Sequence, residues 1–342
     1  MTTETIYDVI ERTNLPTCLY INDKQIDLPF KQDETGFIMN PSISRKIWSN
    51  LGDKLSVGEK SCPYKVDGNK FITLRLDGKG FSHVIKRLKK MNLLAKGYSE
   101  EFGDIMTYIT KKLCDRLDHF DQVLYAFTQS DEITLLINCA PIINNIQASH
   151  DFDGRRDKLI THAASLASMY FNREIDKIFV KKQLKSTIEI VDKLSDLDFQ
   201  KDNVMSIYQN GLSTDLIDKL PDIYFDCRMA QYDTLKQAFE MILWRAYDCG
   251  VNGVSSGVFM SGLSGAKTEN KKHTDAKLLY LFENKLLPMK NHQCYGTMFF
   301  REKKPTEILN PITNKIEIKE KWQTTQIPGP VLVNLKRGIF IF

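Results

Sequence analysis

Apolar residues run without interruption through Phe71-Ile72-Thr73-Leu74-Arg75-Leu76 and stop at Asp77-Gly78. That pattern predicts a strand entering a tight turn. Over 99–118 the period changes: Phe102, Ile105, Met106, Ile109 and Leu113 recur at spacings of three and four, giving one apolar stripe of a helix. Ser99, with Glu101 and Asp104 nearby, marks its start. Residues 123–127 (VLYAF) and 132–138 (EITLLIN) read as two strands joined by the short TQSD segment, hence a hairpin. A second helix is predicted over 157–175, a strand over 222–228 and a third helix over 233–248. The order strand, helix, strand, strand, helix, strand is the split βαβ, ferredoxin-like arrangement. It predicts an α+β domain with an antiparallel sheet and helices on one face, as in a polymerase palm.

The expected organisation is an N-terminal extension over 1–65, a catalytic palm over 66–250 and a C-terminal helical or loop region with a tail over 251–342. Within the palm, 180–222 reads as an inserted stretch of helices or loops, with six lysines against eight acids. The five glycines of 250–270 read as a flexible loop. Hydrophobic residues form 42% of the chain and charged residues 26%, which excludes disordered and fibrous classes. No apolar run is long enough to span a membrane, and the acid-bearing start of the chain has no targeting pattern. The scattered cysteines contain no CxxC pair, which excludes zinc ribbons and points to reduced thiols in a cytoplasmic protein. Net charge is only +4, yet 79–99 carries Lys79, Lys86, Arg87, Lys89, Lys90 and Lys96 without one acid. Such a stretch suits phosphate-rich ligands, and it equally suits a solvated helix face.

Candidate chemistry lies where the predicted fold brings distant segments together. Asp77 ends the first strand, and Asp131 and Glu132 sit at the hairpin tip. In a ferredoxin-like sheet these points converge at one edge. Carboxylates held so close repel one another, and a divalent cation such as Mg²⁺ resolves the conflict. Two such ions activate an attacking hydroxyl and stabilise a leaving pyrophosphate. The turn Gly78-Lys79-Gly80-Phe81-Ser82-His83 could cradle a triphosphate on backbone amides entering a helix. Each signal alone is ordinary turn chemistry; their convergence carries the argument. Gly265-Ala266-Lys267-Thr268 lacks the glycine directly before lysine that a Walker loop requires. His162, on an apolar helix, reads as a core histidine.

Five segments in order resemble one family. Arg75-Leu76-Asp77-Gly78-Lys79-Gly80-Phe81, Gln129-Ser130-Asp131-Glu132, Lys158 with Thr161-His162-Ala163-Ala164-Ser165, Phe225-Asp226-Cys227-Arg228, and Trp244-Arg245 with Asp248-Cys249 and Asn252 are similar to motifs of the tRNA-histidine guanylyltransferases and their guanylyltransferase-like relatives. The resemblance covers about residues 70–300. It implies a polymerase-like palm that extends the 5′ end of tRNA in the 3′–5′ direction, using GTP and ATP, and typically a homo-tetramer. By matching position, Asp77, the Gly78 carbonyl and Asp131 would bind two Mg²⁺, supported by Glu132. Lys79, Gly80, Phe81, Ser82 and His83 would hold the triphosphate, with Ser130, Lys158 and Lys96 assisting. Arg75, Arg228 and Asn252 match positions linked to activity or tRNA engagement.

The segment Gly250-Val251-Asn252-Gly253-Val254-Ser255-Ser256 lacks the histidine that the guanylyltransferases tie to histidine-anticodon recognition. Leu287-Pro288-Met289 and Tyr295-Gly296-Thr297 match a later motif only loosely. These departures favour a templated 5′-end repair enzyme over a strict tRNA-histidine guanylyltransferase. A palm-type nucleotide cyclase and a catalytically silent RNA-binding protein are the competing readings.

Overall fold

The computed structural model describes residues 18–21, 24–27, 41–60, 63–97, 99–117, 123–194, 220–286, 296–309 and 316–328. The loose matches at Leu287-Pro288-Met289 and Tyr295, and 195–219 of the inserted stretch, lie outside them. The elements are β1 (Cys18–Ile21), β2 (Lys24–Asp27), α1 (Pro41–Lys60), β3 (Phe71–Gly78), α2 (Phe81–Lys90), α3 (Glu100–Arg116), β4 (Val123–Gln129) and β5 (Glu132–Ile137). They continue with β6 (Ile142–Ile143), β7 (Ile146–Gln147), a 3-10 turn (Asp151–Gly154), α4 (Arg156–Leu194), β8 (Phe225–Tyr232), α5 (Leu235–Met260), α6 (Ala266–Glu269), α7 (Thr274–Glu283), β9 (Thr297–Leu309) and β10 (Ile316–Pro328).

The main sheet has the order β10-β9-β4-β5-β3-β8, and every neighbouring pair is antiparallel. Its inner four strands, β4-β5-β3-β8, have the ferredoxin-like order expected from the sequence, with β3 central. Alternation along these strands divides the core in two. Ile72, Leu74 and Leu76 of β3, with Ile133, Leu135 and Ile137 of β5, join one cluster with α2, α3 and α4. Leu136 of β5 and Phe127 of β4 join a second cluster with Leu51 and Leu55 of α1 and Phe239, Ile242 and Ala246 of α5. The α+β class holds, but the expectation of helices on one face is corrected: helices cover both. The added cover comes from α1, ahead of the motifs, and from an α5 longer than its sequence signal.

Local chemistry explains most of the elements. Ser99 accepts a hydrogen bond from the Phe102 amide at 3.3 Å, and Glu100 and Glu101 occupy the first turn of α3, where negative charge complements the helix dipole. Thr234 caps α5 in the same way, accepting from the Gln237 amide at 3.2 Å. The predicted glycine-rich loop is corrected. α5 runs on to Met260 because Val254 and Val258 continue its buried stripe, and Gly250 and Gly253 are buried within it as small residues. The C-terminal region is corrected as well. β9 joins the palm sheet by pairing Thr297–Phe300 with β4, and its remainder pairs only with β10. No helix among the described residues is long and apolar enough to cross a membrane.

Phe171 of α4 is fully buried and makes an edge contact with Phe81 at 5.1 Å, with Phe102 and Phe225 about it at 6.1 and 5.9 Å. These rings fix the start of α2 beneath the end of β3. Phe171→Ala is expected to cost about 3–5 kcal/mol of stability, read as a lowered urea midpoint at unchanged slope.

Candidate active site

β3 and the β4–β5 hairpin end at one edge of the sheet, as the topology requires. Asp77 stands in register between Glu132 on β5 and Asp226 on β8. Ser130 and Asp131 form a two-residue turn, with Ser130 at φ 46°. The Gly78 amide donates to the Asp131 carbonyl at 3.2 Å, which ties the end of β3 to the hairpin tip. A Cβ on Gly78 would lie 2.2 Å from the Phe81 ring, so only glycine lets the chain turn tightly into α2. Gly80, at φ 67°, precedes α2, which starts without a side-chain cap or an acid in its first turn. Its first amides are therefore oriented as an anion site.

Asp77, Asp131 and Glu132 open on a cleft of about 480 Å³. Phe81, Ser82 and Ile85 of α2, with Phe102 and Met106 of α3, form one wall. The opposite wall is α5, through Arg245, Cys249, Asn252, Gly253, Ser256 and Met260, at helical spacings that bring them to one face.

The three carboxylates are held differently. Glu132 is 13% exposed at its side chain and saturated with donors. It accepts from Gln129 Nε2 at 2.8 Å, from Arg245 Nε at 2.8 Å and from Arg245 Nη2, and Arg75 Nη1 lies 3.5 Å away. Arg245 also donates to Asp248 at 3.0 Å, and Asn252 donates to the same oxygen at 2.9 Å. Asp77 and Asp131 form no ion pair of this kind among the described residues. Burial raises the Asp77 carboxyl above its ordinary range, and the charges of Glu132 and Asp226 add to that, against a smaller opposing pull from Arg228 and Arg75. Burial pushes Asp131 up to about 6, although the Ser130 hydroxyl donates to it at 3.0 Å.

Two under-neutralised carboxylates are oxygen donors of the kind that suits Mg²⁺, which keeps several waters and shares its shell with phosphates. No group of three or more ligating side chains occurs among the described residues, so any such ion would rest on this pair and on its substrate. The residues present fit the ion.

Several sequence-predicted residues fall elsewhere. Arg75 is buried, 6% exposed, and belongs to the charge network beneath the cleft. Arg228 is exposed on β8, within electrostatic reach of Asp77. Lys79, His83 and Lys158 are exposed and do not line the cleft. Lys96 lines an adjoining basic hollow with Lys86, Lys89 and Lys90. His162 is exposed and meets Phe152 edge-on at 5.2 Å, so it is not a core histidine. Glu59 and the role of Arg245 escaped the sequence reading. The spacing of Arg245, Cys249, Asn252 and Ser256 was the available signal for the second.

The family model for "Thg1: tRNAHis guanylyltransferase" matches residues 56–233, just over half of the chain. The chain belongs to the Thg1 family. A curated relative, an uncharacterized protein of Acanthamoeba polyphaga mimivirus, is 28% identical over 221 residues, covering 63% of this chain and 64% of its own length. A bacterial tRNA(His) guanylyltransferase (Thg1)-like protein in complex with ATP superposes with a TM-score of 0.50 at 15% identity, over 79% of this chain and 91% of that one. The Saccharomyces cerevisiae tRNA(His) guanylyltransferase gives a TM-score of 0.45 at 18% identity, over 67% and 85% of the two chains. Asp77, Asp131, Glu132 and Asp226 all lie within the segment matched to Thg1.

The folded Asp131 carboxyl holds its proton more tightly than the unfolded chain does. Its ionised form therefore costs stability above about pH 6, and the cost fades as pH falls below the ordinary aspartate range. Asp131→Asn is expected to stabilise the chelator-treated protein by about 1–3 kcal/mol at pH 8 and by little at pH 4, measured by urea unfolding at each pH.

Proposed function

We propose that this Thg1-family protein is a 3′–5′ nucleotidyltransferase that extends the 5′ end of tRNA, with ATP or GTP activating that end. The observation that carries the reading is the bond from the Gly78 amide to the Asp131 carbonyl, which extends the β3–β5 pairing to the hairpin tip and sets the two acidic segments at the mouth of one cleft. Asp77, Asp131 and the Gly78 carbonyl would hold two Mg²⁺ ions, which when bound neutralise developing charge on transferring phosphates and leaving groups. In the first step an oxygen of the tRNA 5′-phosphate displaces pyrophosphate from the activating triphosphate. In the second, the 3′-hydroxyl of an incoming nucleotide displaces the activating nucleotide as its monophosphate.

The chain's own residues orient these groups. The uncapped start of α2 supplies the amides of Phe81 and Ser82 for a phosphate tail, with the Lys79 side chain beside it; the His83 amide donates to the Gly80 carbonyl at 3.0 Å and the Lys79 amide to the Tyr224 carbonyl at 2.9 Å. The Ser130 hydroxyl stands at the hairpin tip. Ile85, Phe102 and Met106 offer an apolar wall for a base, which excludes water from its face. Lys96 and its neighbouring lysines would meet RNA phosphates. Arg228 and Asn252 would engage the tRNA end.

Templated 5′-end repair is the favoured form of the activity. Asn252, Gly253 and Ser256 line the cleft in the segment that lacks the guanylyltransferase histidine, which argues against a site built only for histidine tRNA. The same reading makes the protein a homo-oligomer, a tetramer by resemblance to the family.

The test is nucleotide addition to full-length histidine tRNA and to tRNAs lacking one 5′ nucleotide, with ATP, GTP and Mg²⁺. Extension that follows the opposite base, lowered on the order of 10²–10³-fold by Asp131→Ala, is the expected result. Addition confined to histidine tRNA would establish the strict guanylyltransferase instead. Pyrophosphate release without RNA would indicate a cyclase, and tight RNA binding with no chemistry a silent binder.

A further inference from the structure

Beneath the acidic edge lies a second charge pair that the cleft does not touch. Glu59, in the last turn of α1, is buried with its side chain 6% exposed. Both of its oxygens accept from Arg75, from Nε at 3.0 Å and from Nη2 at 2.8 Å. This two-point grip leaves Arg75 only a looser approach to Glu132, at 3.5 Å. Arg75 and Asp77 are two residues apart on β3, so they project from the same face about 7 Å apart along the strand. A free guanidinium there would have Asp77 as its nearest under-neutralised carboxylate. Trp244 closes the remaining side: its ring lies 5.6 Å beneath the Arg75 guanidinium, and a Cβ on Gly52 of α1 would touch that ring at 3.0 Å.

We infer that Glu59 is a positioning residue that restrains Arg75 from neutralising Asp77, so that the carboxylate pair keeps its capacity for a divalent cation. The inference rests on the reading of Asp77 and Asp131 as the cation site. It makes α1 a working part of the site, since that helix delivers Glu59. Glu132 is already held through Oε2 by Arg245, so a guanidinium freed from Glu59 has Asp77, two residues along β3, as the acid with no ion pair of its own among the described residues. Burial works against the Arg75 charge and the Glu59 hydrogen bonds hold it nonetheless, so the guanidinium keeps its charge and seeks another acceptor if Glu59 is neutralised.

The experiment measures Mn²⁺ binding to the full chain from the free-ion paramagnetic resonance signal, without nucleotide and with a non-hydrolysable GTP analogue, each against a protein-free control. Thermal unfolding checks that each variant is folded. Glu59→Gln is expected to weaken Mn²⁺ binding about tenfold or more, because an uncompensated positive charge then faces the site. The double variant Glu59→Gln/Arg75→Gln removes both charges and is expected to bind within about threefold of the unaltered chain. Recovery of this kind would not follow from a merely structural ion pair. Unchanged binding in a folded Glu59→Gln overturns the role of Glu59 and leaves the site reading intact. Loss that the double variant fails to recover also overturns it. If the unaltered chain binds no Mn²⁺, the cation-site reading itself falls and takes this inference with it. Should Glu59→Gln fail to fold, Glu59→Asp replaces it. Its shorter reach breaks the two-point grip, and about a threefold loss, recovered on adding Arg75→Gln, is expected. No loss in Glu59→Asp overturns the inference.

Discussion

Charge alternation under the acidic edge is the constraint from which the site follows. Glu59, Arg75, Glu132, Arg245 and Asp248 follow one another in sign from α1 across β3 and β5 to α5. A partly buried chain of this kind is tolerated only when each member has its partner, because a lost partner leaves an uncompensated charge away from water. It also fixes geometry. Arg75 and Arg245 both lie over the ring of Trp244, at 5.6 and 4.7 Å, so one indole joins the sheet, α1 and α5. The second layer of helices is thus keyed to the sheet by charge as well as by its apolar cluster.

The consequence is an unequal treatment of three similar side chains. Glu132 collects the guanidinium and amide donors, chiefly on one oxygen. Asp77 and Asp131 are left half-buried without an ion pair among the described residues, and both carboxyls are raised above their ordinary range. Leaving them so costs stability, and a fold keeps such a cost where a ligand is to meet it. The sequence presents Asp131 and Glu132 as neighbours at a hairpin tip. The pleat separates them, because a turn residue and the first strand residue face different surroundings.

The palm strands, the hairpin and the convergence of Asp77 with Asp131 were legible in the sequence. Periods of two and of three to four are local, and the strand order then forces the two acidic segments to one edge. Other features were hidden for physical reasons. Five glycines over 250–270 suggest a loop, yet Val254 and Val258 keep a buried stripe going and carry α5 to Met260. β9 escaped notice because only Thr297–Phe300 pairs with the palm, while the charged remainder shows no buried side chain among the described residues. Glu59 could not be found from spacing, since its partner lies 16 residues away across a turn and only the packing of α1 brings them together. Lys79, His83 and Lys158 rest on motif position, and their side chains stand outside the cleft.

The segment matched to Thg1 ends at residue 233, just before α5 begins at Leu235. The acidic edge is therefore inside the matched segment, and the wall facing it is outside. That wall has two jobs at different heights. Arg245 is bound to Glu132 and Asp248, so a change there disturbs the charge chain and the edge with it. Asn252, Ser256 and Met260, two to four turns further on, border the cleft without touching either carboxylate of the pair. Substitution at Ser256 or Met260 can reshape what the cleft accepts while the charges below stay balanced, whereas Asn252 also donates to Asp248 and belongs to both levels. Gly250, at the position of the absent guanylyltransferase histidine, is buried in α5 and does not line the cleft, whereas Asn252, Gly253 and Ser256 of the same segment do.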